Sequence, residues 1–258
     1  MKDKSKHTVS FIIPNWNHKK ILFECLSSIY NAMDTTTQEI IVVDNASTDG
    51  SSEYIRNTFP EVIWVQNDTN RGYAKAVNQG VHLSQGDFLF LLNNDVKLID
   101  NTTDKLLDFL IKNPEAVAVA PLLYYPDGRI QISCRRFPTP SALLLEFLGI
   151  NKIGPFRRWK LPEEEHLHSG IVLQPMASAL MVKRLCWDTV GPLDEQFPIF
   201  FNDVDWCYRL YKNTRYKIYL YPEAKAIHHE GVSVKDLGYK KNIEFYKGMI
   251  RFYYKHFW

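Results

Sequence analysis

Three segments in the first hundred residues limit this chain more than anything else in it. VSFIIPNWN (Val9–Asn17), EIIVVDNASTDGS (Glu39–Ser51) and GDFLFLLNNDV (Gly86–Val96) are apolar runs that stop abruptly at polar groups. Those groups are Asn15-Trp16-Asn17, Asp44-Asn45 and Asn93-Asn94-Asp95. Apolar runs of this length, separated by helical patterns, read as buried parallel strands. In an open α/β sheet the carboxyl ends of such strands converge on one crevice, where ligands bind. Three strand ends carrying amides and carboxylates therefore describe a single polar site.

The alternation continues along the chain. Lys20–Asn31 has helical spacing through Ile21, Leu22, Cys25, Leu26 and Ile29, and a second helix starts at Ser51 or Ser52 and runs to Thr58. Val62–Gln66 reads as a strand, Tyr73–Leu83 as a helix, Asp87–Leu92 as a strand, Thr103–Lys112 as a helix and Ala116–Ala120 as a strand. Strand-helix alternation is the signature of βαβ units on a parallel sheet. After it, Tyr124–Ile132 looks like a hairpin around Pro126-Asp127-Gly128. Arg135–His168 is irregular and reads as a long loop over the site. Order returns at Ile171–Val182, then a helix over Asp203–Tyr211, a strand over Lys217–Tyr221 and a final helix from about Gly238.

Composition narrows the function classes. The 258 residues can bury a core, with 45% hydrophobic and 23% charged residues. A net charge of +2 argues against a nucleic-acid binder. Four separated cysteines (Cys25, Cys134, Cys186, Cys207) match neither a zinc pattern nor a disulfide scaffold and read as buried thiols in a reducing compartment. Met1–His7 is polar and lacks a leader-like apolar stretch, and no apolar run approaches the ~20 residues of a membrane helix. The expectation is a cytoplasmic protein.

The polar groups suggest specific chemistry. An acid in Asn93-Asn94-Asp95 suits a divalent cation that bridges two phosphates, since Mg²⁺ and Mn²⁺ take few protein carboxylates and leave room for phosphate and water. Asp44 can accept the N3–H of uracil or thymine, and Trp16 offers a face for base packing. Asp203 and Asp205 open a helix, where carboxylates are favoured, and one of them suits a general base. His228-His229 follows a strand and the turn Tyr221-Pro222-Glu223; either imidazole suits a metal held by Asp95.

Taken in order, IIPNWN, VVDNASTDGS, NRGYAKAVNQG, LLNNDV, VGPLDEQF, FFNDVDWCYR and YPEAKAIHHEG resemble the inverting glycosyltransferases of family 2, and among them the bacterial rhamnosyltransferase group. The similarity runs from about Val9 to Lys255. It implies the GT-A-type α/β fold, a mostly parallel central sheet flanked by helices, ending in a C-terminal helix. It also implies one glycosyltransferase domain over 1–258: a nucleotide-binding half (8–121), an acceptor and catalytic half (122–234) and a basic aromatic helix (235–258). The implied nucleotide-sugar contacts are Pro14, Asn15, Trp16, Asn17, Asp44, Asn45, Ser47, Asn70, Gly72, Tyr73, Asn78, Asn93, Asn94 and Asp95. Asp203 becomes the catalytic base, and Asp95 with His228 the holders of Mn²⁺ or Mg²⁺, though His229 is adjacent. Two departures stand out: only Asp95 is acidic in the metal motif, and Asn202-Asp203 replaces a Glu-Asp pair.

The expected reaction moves a sugar, rhamnose being one candidate, from a UDP- or dTDP-sugar to a hydroxyl of a bacterial polysaccharide or lipid-linked glycan. Lys240–Trp258 interleaves aromatic and basic residues, a pattern that suits contact with an anionic membrane surface at the inner face of the cell membrane as well as packing on the domain. Two rival enzymes lack their signatures. A nucleotidyltransferase needs a Gly-rich loop where this chain has PNWNHKK, and an oxidoreductase needs a G-x-G fingerprint that is absent. An inactive relative that binds carbohydrate or nucleotide is supported only by Asn93, Asn94 and Asn202 standing where acids are usual.

Overall fold

The computed structural model describes residues 7–31, 37–140, 160–231, 238 and 240–258. The first apolar runs become strands β1 (Thr8–Asn15), β2 (Thr37–Asp44), β3 (Ile63–Gln66) and β4 (Phe88–Leu92). They pair in the order β3-β2-β1-β4, all parallel. Their crossovers contain helices α1 (Lys19–Asn31), α2 (Ser51–Thr58) and α3 (Tyr73–Leu83), within one residue of the sequence expectation at each end.

Helices cover both sheet faces, so alternate residues of one strand enter different cores. In β1, Phe11 and Ile13 pack with Leu22, Leu26 and Ile55 on one face. Ile12 packs with Ala74 and Val77 of α3 on the other. Both faces of the strand's middle are buried, which is why Phe11–Ile13 reads as a continuous apolar run. A side chain at Gly80 would meet Ile12 Cγ2 at 2.6 Å, so glycine lets α3 lie close against the sheet.

The second half differs from simple alternation. β5 (Val96–Ile99), α4 (Thr102–Lys112) and β6 (Ala116–Tyr124) follow β4. Short strands β7 (Cys134–Arg135) and β9 (Gln174–Pro175) form a separate ribbon, with β8 (Gly170–Val172) between them in sequence. Then come β10 (Ala179–Lys183), α5 (Arg184–Val190), α6 (Asn202–Asn213), β11 (Lys217–His228) and α7 (Lys240–Phe257). The main sheet among the described residues has nine strands in the order β3-β2-β1-β4-β10-β6-β11-β5, with β8 against β11. β10 enters antiparallel between β4 and β6, and β5 and β8 are antiparallel to β11. The sheet is thus parallel in its first half and mixed in its second.

Two local expectations are revised. Tyr221-Pro222-Glu223 does not end a strand: β11 passes through it by shifting register against β6 between Tyr221 and Lys225, and continues to His228. A proline's missing donor is tolerated at such an irregularity. The sequence reading also omitted β5, which follows the polar turn directly. The hairpin expected at Tyr124–Ile132 is present as a tight turn, with Gly128 N–H donating to Tyr125 O and Tyr124 bridged to Ile130. Residues 141–159 of the segment expected to loop over the site lie outside the described residues. The four cysteines are free and buried, and burial pushes the Cys134 and Cys186 thiols up to about 12.

Candidate active site

The parallel register sets Asn15, Asp44 and Gln66 level at the ends of β1, β2 and β3. The Asp44 carboxylate is fully buried and accepts hydrogen bonds from Asn15 Nδ2 (2.7 Å), Gln66 Nε2 (2.7 Å) and Ser47 N (2.9 Å). A buried charge needs such partners to offset its desolvation. Committing the Asn15 amide nitrogen to Asp44 leaves its oxygen to accept Asn94 Nδ2 at 2.8 Å. A chain of polar contacts therefore crosses three strands and fixes the turn after β4.

That turn places Asp95. Its carbonyl accepts the His229 N–H (3.0 Å), and the antiparallel pairing of β5 with β11 sets Val96 opposite His228. The His228 ring consequently meets the Asp95 carboxylate, Nε2 to Oδ1 at 3.2 Å, with both side chains buried. The other ring nitrogen, Nδ1, is bonded to Gln131 Oε1 at 2.8 Å. Of the two histidines, His228 is the one whose ring meets Asp95 and lines the cavity described below.

Asp203 lies in the first turn of α6 after Phe201, whose φ of 67° turns the chain into the helix. Its carboxylate accepts Val204 N (2.8 Å), Gln174 Nε2 (3.2 Å) and Ala177 N (3.4 Å). Burial holds its pKa above the usual carboxylate range, while the Arg135 charge and the backbone donors oppose that rise. Arg135 reaches this spot because β7 pairs with β9 in register Arg135 to Gln174. Asp205, two residues on, turns away into a buried cluster with Arg209 (2.8 Å), Lys255 (2.7 Å) and His256 (2.7 Å). It anchors α7 and leaves Asp203 as the acid that faces the site.

One cavity of about 440 Å³ joins these groups. Of the residues expected at a nucleotide-sugar site, Pro14, Asn15, Trp16, Asn45, Asn70 and Gly72 line it. So do Tyr73, Asn93, Asn94 and Asp95, together with Asp203 and His228. Gly72 needs its glycine: φ is +83°, and a side chain would meet Pro198 O at 2.8 Å. Asn17, Asp44 and Ser47 stand behind the wall. Ser47 Oγ accepts the Asn17 N–H, and Asn17 Oδ1 accepts the Thr48 N–H, bracing the two loops. Asn78 does not line the cavity either: its amide bonds Leu193 and Glu195, tying α3 to the segment before α6.

The sequence reading missed Arg135, Ser178, Glu230, Lys241 and Phe245, all in the cavity wall. Arg135 carried no local signal, since only its ribbon partner brings it near Asp203. Asn93 Oδ1, Ser178 Oγ and Arg135 Nε are buried without hydrogen-bond partners among the described residues. Orphaned groups concentrated in one cavity fit a polar ligand.

The donor set also fits a hard divalent cation. His228 Nε2 makes no hydrogen bond among the described residues and points at a carboxylate oxygen. No group of three or more His, Cys, Asp or Glu ligands occurs among them. One carboxylate plus one imidazole leaves positions for phosphate oxygens and water, as Mg²⁺ and Mn²⁺ prefer.

Comparison with known proteins gives the family and the fold. The profile of the family described as "Glycosyl transferase family 2" matches residues 10–166. The N-acetylglucosaminyl-diphospho-decaprenol L-rhamnosyltransferase of Mycobacterium tuberculosis is 29% identical over 211 residues, covering 75% of this chain and 67% of that protein. Among solved structures, GalNAc-T7 with UDP, GalNAc and Mn²⁺ superposes with a TM-score of 0.64 at 15% identity, over 88% of this chain and 44% of that one. The mannosyltransferase PcManGT of Pyrobaculum calidifontis, with GDP-Man and Mn²⁺, gives 0.59 at 19% identity, over 88% and 58%. The chain thus spans about half the length of these two solved chains, and at such identities they share its fold.

Proposed function

The chain belongs to glycosyl transferase family 2 and is a glycosyltransferase, and on that premise we propose an inverting transfer from a nucleotide-diphosphate sugar to a glycan hydroxyl. The donor is a UDP- or dTDP-sugar, with rhamnose the first sugar to try because the mycobacterial relative is named for its transfer. The acceptor is a bacterial polysaccharide or lipid-linked glycan, in keeping with the diphospho-decaprenol in that name. The observation that carries the reading is that Asp203 and the Asp95–His228 pair line the same cavity at the strand ends.

In this reading the base lies against Asn15 and Trp16, and Asp44 takes the pyrimidine N3–H in exchange for one of the amide donors it now holds. The diphosphate lies towards Asn94 and Asp95. A divalent cation held by Asp95 and His228 would neutralise charge on the departing diphosphate. Asp203 accepts the proton of the acceptor hydroxyl as its oxygen bonds the anomeric carbon and the bond to phosphate breaks on the opposite face. The Val204 and Ala177 N–H groups hold the carboxylate ready for that proton. Arg135 and Lys241 supply positive charge on the cavity wall.

The C-terminal helix extends the reading to the acceptor. Phe245 and Lys241 face the cavity, while Ile243, Tyr246, Ile250 and Tyr254 form an exposed apolar stripe on α7. No helix among the described residues is long and apolar enough to cross a membrane. We assign the stripe, with the exposed Lys247 and Arg251 on the same helix, to peripheral contact with an anionic bilayer that carries the acceptor.

The test is transfer from a panel of UDP- and dTDP-sugars with Mn²⁺ present, reading the product anomer by NMR. Asp203→Asn is expected to lower kcat about 10²–10⁴-fold with donor binding retained. Wild-type turnover in that variant, or a product that keeps the donor's anomeric configuration, would sink the mechanism.

A further inference from the structure

The turn at Tyr125–Arg129 is well built, yet the transfer as described makes no use of it. Its backbone closes through Tyr125 N–H to Arg129 O (2.8 Å), and Gln131 N–H returns to Leu123 O (2.8 Å). The turn thereby returns Gln131 alongside the end of β6, next to Leu123. The Tyr125 and Gln131 side chains both meet Glu230: the Tyr125 hydroxyl donates to Glu230 Oε2 at 2.8 Å, and Gln131 Nε2 donates to the same oxygen at 3.0 Å. Glu230 reaches them because it has φ +32° and is followed by Gly231 at +77°, a pair of left-handed residues that folds the chain back after His229.

These contacts have a definite polarity. A carboxylate only accepts, so Glu230 claims the nitrogen end of the Gln131 amide. The amide oxygen is then the end that faces His228 Nδ1, at 2.8 Å. An amide oxygen also only accepts, so Nδ1 must carry the ring proton. In the neutral ring Nε2 is then a bare lone pair, aimed at Asp95 Oδ1 from 3.2 Å. Two acceptors held that close, both buried, are a favourable arrangement only with positive charge on or between them.

We propose that Gln131, oriented by Glu230 and Tyr125, is a positioning residue that sets the tautomer of His228 and so makes Nε2 a metal ligand. The inference rests on the reading of Asp95 and His228 as the holders of a divalent cation. It gives the turn a role: it carries the outer layer of that site. Outer partners of ligating histidines of this kind commonly change metal affinity 10–100-fold when removed.

The experiment measures Mn²⁺ affinity in the presence of UDP, by electron paramagnetic resonance of free Mn²⁺, for the wild type, Gln131→Met, Glu230→Gln and Asp95→Asn. The same proteins without metal are melted to check folding. The ¹⁵N shifts of His228 in the metal-free protein are recorded at a pH where the ring is neutral. Expected are an Nδ1-protonated ring in the wild type, loss of that preference in Gln131→Met, and at least 10-fold weaker Mn²⁺ binding by that variant. Glu230→Gln, which lets the Gln131 amide reverse, should fall between that variant and the wild type. Mn²⁺ affinity in Gln131→Met within twofold of wild type, or an unchanged tautomer, overturns the proposal while leaving the cation site intact. Failure of the wild type to bind Mn²⁺, or undiminished binding by Asp95→Asn, removes the cation reading and the proposal with it.

Discussion

In the proposed transfer, Arg135 and Asp203 act as a pair. Burial raises the Asp203 pKa, and the guanidinium pulls it back. A base must be ionised to work, so activity should fall as pH drops through that raised pKa. Removing the positive charge strengthens the rise, so Arg135→Met is expected to move the acid limb of the kcat/KM profile to higher pH, with the alkaline side little changed. A limb that stays put or moves down would show that Arg135 does not act on the base. Asp203 was legible in the sequence through the acids at a helix start. Arg135 was not, because its place depends on pairing with Gln174, thirty-nine positions away in number and set by the ribbon rather than by any local pattern. Asn78 illustrates the converse: it lies inside a recognisable motif, yet the fold spends it on Leu193.

At the level of elements, the parallel half was readable because each strand is buried on both faces and each helix shows its own apolar spacing. β10 and β5 were harder. β10 joins β4 only after nearly ninety intervening residues, and such pairing leaves no mark in either segment. β5 is four residues with one exposed lysine, too short for periodicity to speak. The attachment of α7 depends on Asp205, buried between Arg209, Lys255 and His256. Asp205→Ala should cost about 3 kcal/mol, the lower end for breaking a buried ion pair because Lys255 and Arg209 keep access to water. Urea unfolding measures the loss, and limited proteolysis should cut α7 first. Unchanged stability would mean that the aromatic packing of Phe245 and Phe252 on Phe201 suffices to hold the helix.

Across the whole molecule, net charge is small, but six of the Lys and Arg side chains fall in 235–258 against two acids. The exposed stripe Ile243, Tyr246, Ile250 and Tyr254 lies within that basic stretch. Sedimentation with anionic vesicles should exceed that with neutral ones, and Ile250→Glu combined with Tyr254→Glu should abolish the difference without altering turnover on a water-soluble acceptor. Equal sedimentation with both kinds of vesicle would remove the membrane assignment. α7 carries a further consequence, since it walls the cavity with Phe245 and Lys241 and turns its other side outward. If the proposed membrane contact holds, the search for the acceptor is two-dimensional. The enzyme's velocity in mixed micelles should then follow the mole fraction of acceptor at the surface and be insensitive to how much acceptor the whole solution holds.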